Sequence, residues 1–212
     1  MRKIIFIPAI IMAMTSCAKA LDTERIDDVD DINFTNTITH NGRSYEITDI
    51  DIYVEDDMDG EWGFTEPSFI IEGEARHLVS ERILRNEKTT VYDVVAFEAV
   101  IPVSNYGKAH DISGGESRGA MAFGNGRRTE IRDEYGYSVA SSGIKGILCV
   151  NSDNGLTSET VTEEGSTPTG NPKRAMYYID VERTYADFYR LRMIFEDSEG
   201  NKYSVAYKGE KE

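Results

Sequence analysis

The chain has 212 residues, 40% of them apolar and 29% charged, and its 38 acids against 23 bases give a formal charge of −15. That length and apolar share suit one domain with its own core, and two cysteines in all exclude a miniature fold held together by disulfides. The negative balance disfavours nucleic acid and anionic lipid head groups as partners of the folded surface.

Residues 1–16 have the parts of an export signal: basic Arg2 and Lys3, an apolar run from Ile4 to Met14, then small Thr15 and Ser16. The apolar run is too short for a bilayer core that needs about 20 residues, so it reads as a signal peptide and not as a retained helix. Met14-Thr15-Ser16-Cys17 resembles the lipobox of bacterial lipoproteins, with Met14 where Leu is usual. That resemblance implies cleavage before Cys17, acylation of its thiol by a palmitate-type chain, and membrane attachment through the lipid. An ordinary secretory signal with an incidental cysteine is the alternative. Loss of Arg2 and Lys3 on cleavage takes the formal charge from −15 to −17. Residues 17–32 follow as an acidic tether with Asp27, Asp28, Asp30 and Asp31 and no aromatic residue, a composition that cannot bury enough surface to order itself.

From residue 33 to 212 the pattern is that of a single β domain. In TNTITHNGRSYEI, residues 35–47, Asn41-Gly42 lies between β-prone arms and suits a type I′ turn, which pairs His40 with Arg43 and Ile38 with Tyr45. Beyond it, Tyr45 and Ile47 occupy one phase of a strand, and Ile50, Ile52 and Val54 the other. A bulge near Thr48 and Asp49 would keep both sets in the core.

EDDMDGEWGFTE, residues 55–66, can be laid on a calcium loop with Glu55, Asp57, Asp59 and Glu66 as ligands and Gly60 at the sharp turn. Glu55 stands where Asp is usual, and the flanks IDIYV and PSFII read as strands and not as the helices an EF-hand needs. The competing reading is a solvated acidic hairpin loop whose Trp62 or Phe64 folds back on the core.

Further strands are predicted at 68–76, 90–103, 119–123, 137–141, 144–151 and 174–182. Ala75, Val79 and Ile83 fall on one face of a helix, so residues 75–86 fit one short helix as well as a strand. Cys149, in GILCV, reads as a core thiol. Residues 151–173 are mostly polar, contain three glycines and two prolines, and read as one long polar loop. The closing stretch predicts a hairpin in which Phe195 faces Tyr203, Met193 faces Val205 and Leu191 faces Tyr207, with Gly200 in the left-handed position. Together these elements predict an all-β fold, an antiparallel β-sandwich or a β-barrel of jelly-roll or lipocalin type.

Motifs for catalysis fail on context. Ser142-Gly143-Ile144-Lys145 has serine–x–x–lysine spacing but enters a strand instead of starting a helix. His40, His77 and His110 are isolated, and the Gly-rich stretch 113–128 has no Walker lysine. The 12 tyrosines are the other enrichment; Tyr135, Tyr137 and Tyr177, with Tyr178, Tyr185 and Tyr189, would make a sugar-stacking or protein-contact patch if they shared a face, while the competing reading places them in half-exposed strands.

The lipobox-like start, the acidic tether, ITHNGRSYEIT and YRLRMIFEDSEGNKYSVAYKG together resemble small β-rich outer-membrane lipoproteins of the Bacteroidota type. The resemblance implies an outer-membrane location, facing the periplasm or the cell surface, a barrel- or jelly-roll-like fold, and no catalytic residue. The expected function is a non-enzymatic binding module for a glycan, peptide or protein partner, without a cofactor unless calcium binds at 55–66. The alternatives are a structural part of an envelope or fimbrial assembly and a hydrolase using carboxylates, whose required spacing only the fold can set.

Overall fold

A computed structural model describes residues 33–56, 63–115, 117–162, 164–182 and 188–210. The expected signal peptide, Cys17 and the expected tether lie outside these residues, as do Asp57, Asp59, Gly60, Trp62 and Tyr185. The described chain is all-β, with twelve strands: β1 (Thr37–His40), β2 (Arg43–Glu55), β3 (Ser68–Leu84), β4 (Glu87–Pro102), β5 (Ala109–Asp111), β6 (Gly119–Asp133), β7 (Gly136–Ser152), β8 (Gly155–Thr162), β9 (Gly165–Pro168), β10 (Arg174–Val181), β11 (Phe188–Glu196) and β12 (Lys202–Glu210). They form one antiparallel sheet in the order β5-β10-β11-β12-β1-β2-β3-β4-β6-β7-β8-β9.

Short turns explain most of that order. Asn41 and Gly42 both take positive φ, 48° and 81°, and the β1–β2 hairpin pairs His40 with Arg43 and Ile38 with Tyr45 as the sequence predicts. The register slips between Ile47 and Asp49, so that Tyr45, Ile50 and Ile52 are all buried despite their opposite phases. The β11–β12 hairpin has the predicted register, Phe195 on Tyr203 and Met193 on Val205, and Gly200 has φ 88°. Between them β1 pairs with β12, which brings the two ends of the domain together.

The sheet ends in two free edges, β5 and β9, and does not close, so the barrel alternative is not formed. It rolls over instead. Phe123 of β6 lies 5.9 Å from Phe195 of β11 and 4.7 Å from Tyr203 of β12, ring centre to ring centre, although five strand-to-strand steps separate β6 from β12 in the sheet. The inner surfaces of the two halves therefore share one core, which also takes Ile38, Ile52, Ile71, Phe97, Cys149, Tyr177 and Leu191. Gly73 is required by this packing, because a Cβ there would overlap the Phe97 ring. On the outer surface Phe64, fully buried, folds back over Ile70, Val100 and Ala120, as predicted for that loop.

Two expectations are corrected. Residues 75–86 contain no helix; β3 runs unbroken to Leu84, with a bulge between Leu78 and Ser80, because β4 supplies a full-length partner. Residues 151–173 are not one long loop; β8 and β9 occupy 155–168, their Thr and Ser residues fitting a strand exposed to water.

Four strands continue well past the core. Pairing of β2 with β3 ends at Glu46 and Arg76, and pairing of β8 with β7 ends at Lys145 and Thr162. Among the described residues, 77–94 and 126–142 therefore pair only with each other, in the order β3-β4-β6-β7, as an arm about 25 Å long. Ion pairs replace a core along it. Arg76 reaches Glu74 (2.7 Å) and Glu130 (3.3 Å), and Arg128 reaches Glu74 (2.6 Å). At the root, Asp93 bridges Arg43 (2.8 Å) and Arg127 (3.0 Å).

Candidate functional site

The roll leaves a cleft of about 220 Å3 where the core stops and the arm begins. One wall is the inner surface of β6, β7 and β8, presenting Asn125, Lys145 and Thr160. The opposite wall is the β1–β2 turn together with the β11–β12 turn. That second wall is tightly tied. Asp197 accepts the backbone N–H groups of Glu199 (2.9 Å) and Asn201 (2.8 Å) and the Asn201 side-chain amide (2.7 Å). Asn41 accepts the Lys202 N–H (2.8 Å) and donates to Asn201 Oδ1 (3.2 Å), while Ser198 donates to the Thr169 carbonyl (3.1 Å).

The floor is aromatic. His40 and Tyr203 stack with ring centres 4.2 Å apart and planes at 6°, and Tyr203 rests in turn on Phe123. Burial holds the His40 ring below its ordinary pKa, with Asp197 opposing, so the stacked imidazole is neutral near pH 7. Above the floor, Asn125, Lys145 and Thr160 have side chains with no hydrogen bond or ion pair to any described residue, and the buried Thr169 hydroxyl has no partner there either. Unspent donors and acceptors around a stacked ring pair suit a small hydroxyl-rich ligand, which can satisfy them while a face of its ring lies on the aromatics.

The residues singled out in the sequence fall elsewhere. Glu55 is exposed at the end of β2, opposite Ser68, and Glu66 accepts a hydrogen bond from Ser104 (3.1 Å). With Asp57 and Asp59 outside the described residues, no three acidic, His or Cys side chains among the described ones assemble as a metal site. Tyr135 and Tyr137 sit together at the tip of the arm, 90% and 55% exposed, with Arg132 over the Tyr137 ring. Tyr177 is fully buried on β10 and shares no surface with them.

Tyr177 belongs to a buried polar network. Its hydroxyl donates to the Arg118 carbonyl (3.0 Å) and accepts from Asn105 Nδ2 (3.0 Å), which also reaches Ser117 Oγ (2.8 Å). Ser117 Oγ touches His110 Nδ1 at 3.2 Å, and Asn151 donates to the Ser117 carbonyl. Burial holds His110 below its ordinary value as well. A serine beside a histidine invites a nucleophilic reading, but this hydroxyl is buried among Asn105, Tyr177 and His110, and these contacts fasten Asn105, His110 and Ser117 to Tyr177 of β10.

On the outer surface a broader groove of about 490 Å3 is floored by Gly73, Ala96, Ala122 and Gly124 and rimmed by Asp49, Asp51, Glu72, Glu74 and Glu98. It carries part of the body's negative charge. Asn125, Lys145 and Thr160 were not legible as site residues, although one signal was present. Asn125 continues the inward phase of Met121 and Phe123, and Lys145 that of Cys149 and Ile147, so each is a polar residue where the strand's alternation calls for an apolar one. Comparison of the chain with protein-family models, with curated proteins and with solved structures finds no match.

Proposed function

We propose that the protein is a non-enzymatic binding module, held at a bacterial outer membrane by lipid on Cys17, whose cleft between β6–β8 and the two turns takes a sugar residue of a glycan. The observation that carries this reading is the set of polar side chains without internal partners, Asn125, Lys145, Thr160 and Thr169, above the His40–Tyr203 stack. A volume of about 220 Å3 suits one sugar ring and not a folded partner. The anchor rests on Met14-Thr15-Ser16-Cys17 and on the acidic segment behind it, which would hold the cleft away from the membrane.

The full chain, in a detergent without a sugar head group, is expected to bind on a glycan array and to give saturable heat with the best ligand. Asn125→Ala and Lys145→Ala should each weaken binding about tenfold, equivalent to roughly 1.4 kcal/mol, and leave the melting temperature in place. A blank array, or variants that bind like the parent, would overturn the cleft assignment. The anchor has its own test: intact mass spectrometry of protein from a bacterial envelope should show a chain starting at an acylated Cys17. A chain cleaved there with a free thiol would refute the anchor.

A further inference from the structure

We propose that the arm is a dimerisation element, in which β3 of one chain pairs antiparallel with β3 of a second copy, centred on Glu81. This rests on the arm alone and is independent of the cleft. Over residues 77–84 β3 has β4 on one side and, among the described residues, no strand on the other. Edge strands in soluble proteins are commonly blunted by charged side chains, Pro or bulges; this segment, HLVSERIL, has no Lys or Pro, and its only such features are Glu81, Arg82 and the bulge before Ser80. Its apolar side chains stand in water: Leu78 is 53% exposed, Val79 46%, Ile83 71% and Leu84 53%. The other side of the arm, β7 over 136–142, reads GYSVASS, with Tyr137 and Val139 among Gly and Ser, and is less apolar.

Charge selects a second copy as the occupant. Residues 77–94 and 126–142 contain six acids (Glu81, Glu87, Asp93, Glu130, Asp133, Glu134) and six bases (Arg82, Arg85, Lys88, Arg127, Arg128, Arg132), so the arm has a formal charge of zero. The chain's entire −15 therefore lies on the other residues. Outside the arms two copies carry net negative charge and repel, and antiparallel pairing keeps the two acidic bodies at opposite ends of the joined sheet.

The register follows from the strand itself. A two-fold axis at Glu81 sets Val79 opposite Ile83 of the second copy, twice over, and Leu78 opposite Leu84. The two Glu81 carboxylates that meet at the axis are each already paired with Lys88 of their own chain, at 2.7 Å. The bulge, which leaves Val79 without a partner on β4, falls inside this span on each chain and leaves Ser80–Leu84 regular.

The test uses the full chain in detergent, measured by sedimentation over a dilution series and by cross-linking with a short bismaleimide. The parent should sediment as a dimer at micromolar concentration. Glu81→Cys should cross-link at least fivefold more than Val139→Cys on the opposite edge, with the parent chain as the control for Cys17 and Cys149. Val79→Lys with Ile83→Lys, introduced into Glu81→Cys, should reduce the cross-link at least tenfold without lowering the melting temperature, because both side chains are exposed. A parent that stays monomeric throughout, stronger cross-linking at 139 than at 81, or a cross-link indifferent to the two lysines would each overturn the proposal. Sedimentation of the parent stands whatever the variants do.

Discussion

Raising the pH from 9 to 12 is expected to remove roughly 6 kcal/mol of folding stability, comparable with the whole stability of an ordinary domain. Two buried groups account for it. Burial pushes the Cys149 thiol from 9.0 up to about 12, and Tyr203 is pushed from 10.0 up to about 12 by burial first and then by Asp197 and Tyr45. Both lie in the core, at 0% and 5% exposure. Below pH 9 each group is protonated in the folded and the unfolded chain, and the contribution of both is complete. Between 9 and 12 the unfolded chain releases protons that the folded one still holds, so stability falls as pH rises. Tyr177, raised by burial, acts in the same direction. Denaturant unfolding followed by circular dichroism at intervals from pH 8 to 12 measures the slope, and Cys149→Ala isolates one proton of it. That variant should lose stability more gently, by about 1.4 kcal/mol per pH unit over this range. A parent curve flat to pH 12, or an unchanged slope in Cys149→Ala, would show that the roll does not enclose these groups.

The same enclosure explains what could be read in advance. Local turn chemistry dictated both hairpins: Asn41-Gly42 and Gly200 fix the loop geometry, the loop fixes the register, and the partners of Ile38 and Phe195 follow. The bulge at Thr48 was legible for a related reason, since Tyr45 and Ile52 could not otherwise share a core. Where no face is buried, the alternation that marks a strand disappears. The arm strand GRRTEIRD, residues 126–133, is wet on both faces, and in β3 the apolar set Leu78, Val79, Ile83 and Leu84 mimics a helical spacing because nothing covers it. The polar hairpin of β8 and β9 passed for a loop on the same account. The sheet's closure was equally hidden, because sandwich and barrel use the same inward alternation and differ only in whether the end strands meet.

Long-range geometry, not local pattern, also made the candidate site. Lys145 and Asn41 are more than a hundred positions apart and face one cleft only because β1 pairs with β12 while the sheet rolls β7 across from it. Tyr177 shows the reverse. The tyrosine enrichment suggested a surface patch with Tyr135 and Tyr137, yet β10 turns Tyr177 inward to Asn105 and Ser117, and of these three the two arm tyrosines remain accessible. Cleft and arm therefore divide the molecule. The cleft depends on the roll bringing Phe123 against Tyr203, which the β1–β12 pairing stacks on His40, whereas the arm depends on four strands escaping it.

Phe123→Ala should show that dependence most directly, costing about 3–5 kcal/mol. The Phe123 ring is 1% exposed and lies at the crossing of the two halves: Phe97 of β4 is 6.4 Å away on its own side, Phe195 and Tyr203 are 5.9 and 4.7 Å away on the other. Removing it deletes the largest side chain by which β6 reaches β11 and β12, and the neighbours that would have to move into the cavity are themselves buried aromatic rings. In a domain of this length the melting temperature should fall by roughly 6–20 °C. Val139→Ala on the opposite edge of the arm, at 43% exposure, is the matched control and should stay within about 0.5 kcal/mol of the parent. The cleft should respond as well, because Tyr203 loses the ring beneath it and the His40 stack loses its support. Binding in Phe123→Ala should therefore weaken even at temperatures where the variant is folded, while Phe123→Leu, which refills most of the volume, should recover part of both losses. Equal melting temperatures for Phe123→Ala and Val139→Ala would mean that the halves of the sheet do not share one core, and the cleft between them would then have no floor.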